Sequence, residues 1–150
     1  ILESALYAGN LEETAAFYEE VLGLERFIEV EGRHVFFRVP GGVLLLFSPE
    51  ATVQPPRDPR MPVPPHGAVG PGHLCFAGTA AEIEDWAHRL AAAGVDIEAD
   101  FQWPQGGRSI YFRDPNGYVV ELTAPVNNEG KSGFDSAEAR ARLDKWTNAS

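Results

Sequence analysis

The chain carries a single cysteine, Cys75, so no disulfide can form within it, and cysteine usage of this kind fits a reducing cytoplasm. Basic residues are also scarce, with 12 Lys and Arg against 22 Asp and Glu and a formal net charge of -10. Such a surface repels polyanions, which argues against nucleic acid as a partner. No apolar run approaches the roughly 20 residues of a membrane span, and nothing resembles a secretory signal. No membrane partner is therefore expected. Proline is thinly spread outside one stretch, since eight of the twelve fall between positions 49 and 71. What remains is ordinary for a globular protein: 150 residues, 44% hydrophobic and 23% charged, enough for one domain with a real core.

Within that domain the sequence repeats itself. GRHVFFRVPGGVLLLF at 32–47 and GRSIYFRDPNGYVVEL at 107–122 align without a gap at a spacing of 75 residues. Each copy is an alternating run, a Pro/Gly turn and an apolar run, the pattern of a β-hairpin. Upstream, ESALYAG at 3–9 matches HLCFAGT at 73–79, a short strand entering a helix. Asn10 with Glu13, and Thr79 with Glu82, have capping-box spacing. The first helix carries Leu11, Ala15, Tyr18 and Leu22 and stops at Gly23; the second carries Ile83, Trp86, Ala87 and Leu90 and stops at Gly94. A further strand follows each helix, near 25–31 and 95–102. The expected fold is α+β: tandem βαβββ modules at 1–48 and 73–125, together forming a single domain over 1–125. The Pro-rich connector at 49–72 joins them as an extended segment without regular hydrogen bonding. His66 within it is a candidate lid residue over the site. In the tail at 126–150, Asp135 with Glu138 has the spacing to cap a last helix carrying Ala139, Leu143 and Trp146.

Strand alternation then sorts side chains by face. In the last strand Val120 and Leu122 suit a helix-covered face, whereas Glu121 shares the opposite face with Val119 and Thr123. An unpaired buried carboxylate costs several kcal/mol, so Glu121 needs a partner. Its counterpart in the first copy is read as Leu46, so the fold itself requires no acid there. Glu3 and His73 occupy equivalent positions in the first strands of the two copies, both directed away from the helices. Two carboxylates and an imidazole converging on an apolar cleft make a divalent-metal site from Glu3, His73 and Glu121. Taken singly, each has a structural reading: a satisfied histidine, a solvated terminal acid, or an acid bonded to an arginine such as Arg113. Tyr7, Phe36, Trp103 and Tyr111 are placed along the same cleft as an aromatic lining for a substrate or ligand, with His66 over it. His34 and His88 are read as surface residues, and Cys75 as facing the cleft without a nucleophilic role.

LYAGNLEETAAFYEEVLGLE after the first strand, GH at 72–73 and YFRDPNGYVVEL near the end together resemble the vicinal oxygen chelate superfamily, the glyoxalase/bleomycin resistance/dioxygenase group. The resemblance spans about residues 1–125. It implies paired modules forming a half-open, barrel-like cleft, a homodimer, a small-molecule substrate and a divalent metal such as Zn, Ni, Mn or Fe. In glyoxalase I members the first and last strands of each copy supply the ligands, which carries over to Glu3, Leu46, His73 and Glu121. Leu46 cannot ligate, leaving three. Glu3 stands where dioxygenase and fosfomycin-modifying members place a histidine, and Ala5 stands where the latter carry a hydroxyl, while Ser109 and Tyr111 match the S-x-Y pattern whose side chains contact substrate in those members. Two carboxylates neutralise a divalent cation, which weakens attraction for an anionic catecholate or phosphonate.

The resemblance therefore implies a metal-dependent lyase or isomerase acting on vicinal oxygens through an enediolate-like intermediate, with Glu3 or Glu121 carrying the proton. The alternatives are an extradiol-type dioxygenase and a metal-free protein that sequesters a drug or metabolite.

Overall fold

The computed structural model describes residues 1–124 apart from 57 and 105, so the helix expected in the tail lies outside the described residues. The element order is β1 (Glu3–Tyr7), α1 (Leu11–Glu20), β2 (Glu25–Val30), β3 (His34–Val39), β4 (Gly42–Phe47), α2 (Pro49–Thr52), β5 (His73–Ala77), α3 (Ala80–Ala92), β6 (Ala99–Gln102), β7 (Arg108–Arg113) and β8 (Val119–Thr123). The two copies give two four-stranded sheets of the same topology, β1-β4-β3-β2 and β5-β8-β7-β6, each with its first strand parallel to its last. The sheets are not closed into a barrel.

Local chemistry explains the helix ends. Thr79 and Glu82 form the reciprocal box, with the Glu82 carboxylate accepting from the Thr79 backbone N–H at 2.7 Å and the Thr79 hydroxyl accepting from the Glu82 N–H. Asn10 makes no such cap. Its amide oxygen instead accepts from the Thr14 hydroxyl, and its amide nitrogen donates to Glu13 and to the Pro115 carbonyl in the second copy. Gly23 and Gly94 end the helices at φ 69° and 71°, a left-handed conformation costly for any residue with a Cβ. The connector departs from the expected irregularity at its start. Ser48 and Pro49 occupy N-cap and first-turn positions, and one helical turn follows, with Thr52 fully buried. Later in the connector, Gly72 is required by close approach, since a Cβ there would fall 2.1 Å from the Tyr118 ring.

Both sheets turn their helix-covered faces into one continuous core. Leu6, Phe37, Leu44 and Leu46 of the first copy and Ile83, Leu90, Phe112, Val120 and Leu122 of the second belong to the same buried cluster. Helix α1 stitches the copies: Phe17 packs on Phe112 with ring centroids 6.2 Å apart, and the buried Tyr18 hydroxyl donates to Asp114 at 2.9 Å. Asp114 also accepts from the backbone N–H groups of Asn116 and Tyr118, and Asn116 donates back to the Tyr7 carbonyl. Burial raises the Asp114 carboxyl above its ordinary range against these donors, and burial beside Asp114 raises the Tyr18 phenol strongly.

The registers correct one sequence assignment. Arg38 pairs with Val43 in the first hairpin, whereas its counterpart Arg113 pairs with Val119. The second turn is one residue longer, so the gapless alignment fails beyond it. Phe36 lies opposite Leu45, and the equivalent Tyr111 lies opposite Glu121. The counterpart of Glu121 is thus Leu45, while Leu46 is fully buried in the core. The conclusion that the first copy supplies no acid at this position is unchanged.

Replacing Tyr18 by Phe removes a donor to a buried carboxyl and should cost about 1.5–3 kcal/mol, the value of a hydrogen bond to a charged group. Thr79→Ala should cost about 1 kcal/mol through loss of the cap. Urea unfolding midpoints at unchanged slope would read both, and a loss under Tyr18→Phe no larger than an exposed tyrosine's would contradict the first.

Candidate functional site

The opposite faces of the two sheets, turned away from the shared core, differ in chemistry. On the second sheet β5 and β8 run parallel with Cys75 opposite Glu121, and the alternation that buries Val120 and Leu122 directs Glu121 outward. Yet Glu121 is only 8% exposed, because neighbouring side chains close over it. Its Oε2 is hydrogen-bonded to His73 Nε2 at 3.1 Å, and its Oε1 accepts the Ser109 hydroxyl at 2.7 Å. A hydroxyl offers one proton and two lone pairs. With its proton given to Glu121, Ser109 accepts from the Trp103 indole N–H at 2.9 Å and from the Thr123 hydroxyl 2.8 Å away. Ser109 itself is fully buried.

Burial alone would raise the Glu121 carboxyl, but donation from Ser109, the approach of the Tyr111 hydroxyl and Cys75 thiol, and the field of His73 outweigh it. The group titrates below its ordinary range, so Glu121 is an anion at neutral pH. The same carboxylate has the reverse effect on its neighbours. Cys75 is exposed as a residue, yet partial desolvation and Glu121 push its thiol up to about 12, which makes it a poor nucleophile. Desolvation and Glu121 also raise the Tyr111 phenol. The rings extend the site along the sheet: His73 stacks on Tyr111, Tyr111 on Phe101 with planes 4° apart, and Phe101 meets Trp103 edge-on. Arg113, a conceivable partner for Glu121 from sequence, instead pairs with Glu98.

The corresponding face of the first sheet is apolar. Leu45 and Phe47 of β4 and Phe36 of β3 line a cavity of about 480 Å³ whose far wall is the connector, through Met61, Val63 and His66. The Tyr7 hydroxyl and His66 Nδ1 are 2.9 Å apart, and His66 packs edge-on against Phe47. His66 thus lies over the first sheet. His34 was read from sequence as a surface residue, but its ring stacks on Phe36 at 4.3 Å and lines the same cavity. Desolvation and the nearby Arg33 lower its pKa. His34 holds the place on β3 that Ser109 holds on β7, a correspondence visible in the gapless alignment at 75 residues.

Glu3 is exposed on β1 and belongs to this first face, lining the same cavity. The sequence-derived set is therefore divided: Glu3, Tyr7, Phe36 and His66 on one sheet, His73, Trp103, Ser109, Tyr111 and Glu121 on the other. Among the described residues, no three His, Cys, Asp or Glu side chains gather as a metal set. The pair on the second sheet nonetheless fits part of one. With bonds of about 2.1 Å from a cation to nitrogen and oxygen, adjacent ligand atoms sit about 3 Å apart, the spacing between His73 Nε2 and Glu121 Oε2. The Ser109 donor to the other carboxylate oxygen is the outer support such a ligand needs.

The description "Glyoxalase/Bleomycin resistance protein/Dioxygenase superfamily" matches residues 1–122. Among solved structures, lactoylglutathione lyase from Agrobacterium tumefaciens is 42% identical, with a TM-score of 0.77 over 83% of this chain and 92% of that one. A glyoxalase/bleomycin resistance protein/dioxygenase from Nocardioides is 24% identical, with a TM-score of 0.67 over 89% of each chain. A genomically encoded fosfomycin resistance protein from Listeria monocytogenes is 23% identical, with a TM-score of 0.62 over 86% and 95% of the two chains. The last two share the fold alone at that identity. By sequence match and by topology, the chain belongs to the glyoxalase/bleomycin resistance protein/dioxygenase superfamily.

Proposed function

We propose that this protein is a divalent-metal-dependent lyase or isomerase acting on a small molecule with adjacent oxygens, and that its site forms between two copies of the chain. The observation that carries the reading is the His73–Glu121 pair, with its ligand-like spacing and its supporting Ser109. Glu3 sits on a face turned away from the same core, so His73 and Glu121 of one copy would meet Glu3 of a second. A twofold pair of chains makes two such sites, because each contact recurs with the roles exchanged. The similarity to a lactoylglutathione lyase supports the reaction class.

A divalent metal bound there supplies Lewis-acid polarisation of the substrate's two oxygens. The chain's own residues do the remainder. Ser109 orients Glu121 and holds it ionised, and Trp103 and Thr123 orient Ser109. Glu121 is held in place by Ser109 and His73, which suits it to ligation. Glu3 is exposed and not held in that way, and is the carboxylate we assign to proton transfer at the substrate carbon. Sequestration of an apolar ligand without chemistry is the second reading, favoured by the cavity over the first sheet.

Purified protein should carry one transition metal per chain by elemental analysis, and Glu121→Ala should lose it. Co-expressed Glu3→Ala and Glu121→Ala chains should regain one of the two sites in a mixed dimer, because one pairing still has every ligand. A metal-free wild type after reconstitution would leave sequestration as the better account, and mixed dimers without metal would place the site within one chain. Ser109→Ala should weaken metal retention by about 10- to 100-fold, the usual effect of losing a group that supports a ligand.

The same variant should shift an acid transition in chelator-treated protein. A carboxyl held low in the folded state contributes stability in full above its ordinary range and loses it as pH falls through the lowered value. Without Ser109 the folded-state value moves back toward the ordinary one, so the variant should lie below wild type at neutral pH and the gap should narrow in acid. Urea midpoints measured from neutral to acid pH would show it, and coincident profiles would refute the role given to Ser109.

A further inference from the structure

Arginines in this acidic chain are, for the most part, answered by a carboxylate. Among the described residues Arg26 meets Glu12, Glu19 and Glu29, Arg38 meets Glu25, and Arg60 meets Asp58. Arg108 meets Asp100 and Glu84, and Arg113 meets Glu98. Arg89 has no such acid, but it is exposed and lies over the Trp86 ring. Arg33 is different. It is half-buried, lines the cavity over the first sheet and makes no ion pair among the described residues, although acids outnumber bases 22 to 12. Its Nη1 donates to the Ala51 carbonyl at 2.9 Å, which fixes the guanidinium and leaves its full charge in place. Its backbone is held as well, by the Val30 carbonyl and the Ser48 N–H. Nothing in the duplicated scaffold requires an unanswered cation here, because the counterpart Arg108 has two acids. Desolvating a charge without a counter-ion is unfavourable for the fold, so the position points to an anion from outside the chain.

The surroundings say where such an anion would lie. Strand register puts Tyr7, Phe47 and His34 in one row across β1, β4 and β3, with Arg33 next to His34. His66 packs on Phe47 at 4.8 Å, and its Nδ1 meets the Tyr7 hydroxyl, which leaves Nε2 to offer. Desolvation, and after it the charge of Arg33, lower the His34 pKa, so this ring is neutral and lies within the field of the guanidinium. This end of the cavity therefore presents one positive charge with neutral polar groups beside it. Asp58 also lines the cavity, but it is taken up by the side chain and backbone of Arg60. Glu3 belongs to another row, opposite Val43, four residues and about 13 Å along β1 from Tyr7. Leu45 and Phe36 fill the row between. The enclosure of about 480 Å³ is large enough for a small molecule that spans the rows.

We propose that Arg33 anchors a carboxylate at the end of the substrate remote from its two oxygens, so that the chain acts on singly charged acids. A carboxylate matches the planar fork of a guanidinium and cancels its one charge. A doubly charged phosphate would leave an excess negative charge in a space that also holds Glu3 and Asp58. The inference deepens the preceding reading and rests on it for the position of the oxygens, beside Glu3. The anchor itself rests on Arg33 and the cavity.

Titration calorimetry of the full chain with 6-phenylhexanoate and 6-phenylhexanamide tests it, since the two probes share shape and length and differ in charge. The acid should bind at least tenfold more tightly than the amide. Arg33→Gln should bring the two within about twofold. Arg33→Lys keeps the charge without the fork and should retain a reduced preference. Arg38→Gln, which alters an arginine already paired with Glu25, should leave the preference unchanged. The ratio of acid to amide is read within each protein, and either Arg33 variant is decisive if the other fails to fold. An undiminished preference in a folded Arg33 variant, equal binding of the two probes by wild type, or binding of neither would overturn the anchor. Carboxylates also ligate metals, so the titrations are repeated after chelation. A preference that persists without metal and falls with the Arg33 variants supports the anchor whatever the metal does. A preference that vanishes on chelation and ignores both variants assigns the carboxylate to the metal, which removes the anchor and leaves the metal centre standing.

Discussion

The hydroxyl of Tyr18, sealed inside the protein, reaches from the first copy's helix to Asp114 in the second copy's turn, and the fold is organised around that junction. Phe17 on Phe112, Asn10 on the Pro115 carbonyl and Asn116 on the Tyr7 carbonyl lie around it. These contacts commit the helix-covered side of both sheets to one interior. Once that side is spent, each sheet has one face left, and the two remaining faces look away from the common core. The division of the site residues follows from this packing and from nothing local to any strand.

The duplicated faces have diverged in opposite directions from one scaffold. Where the second sheet has His73, Ser109, Tyr111 and Glu121, the first has Glu3, His34, Phe36 and Leu45 at the equivalent places. One face concentrates hydrogen-bond donors around a carboxylate; the other concentrates hydrocarbon under a proline-rich strap. Polar chemistry and apolar recognition make incompatible demands on a single sheet, since the first needs water-tolerant donors and the second needs none. Two copies of one scaffold let the two faces diverge in this way.

Much of this was legible from residue order. Alternation placed Val120 and Leu122 inward and singled out Glu121, because a strand's period of two is insensitive to what packs around it. Helix ends at Gly23 and Gly94 were equally readable. Leu46 was misassigned in place of Leu45, since a turn one residue longer inverts the faces of every residue beyond it, and the alignment showed no gap. The Asn10 cap failed for a different reason: its side chain is drawn to Thr14, Glu13 and Pro115, the last brought near only by tertiary packing. His34 was placed at the surface because the connector that covers it has no periodic signal. The separation of Glu3 from His73 was equally out of reach, as equivalent positions in two copies say nothing about how the copies are turned.

Strands β1 and β5, which carry Glu3 and His73, stand at the edges of their sheets. An edge strand offers a row of backbone donors and acceptors to whatever approaches it. Two of the three residues assigned to the metal, Glu3 and His73, are thus mounted on strands that invite association, while Glu121 stands on the adjoining interior strand. For a site shared between chains, dilution would then act as an inhibitor: the fraction of assembled centres, and with it turnover per chain, would fall with protein concentration by mass action alone.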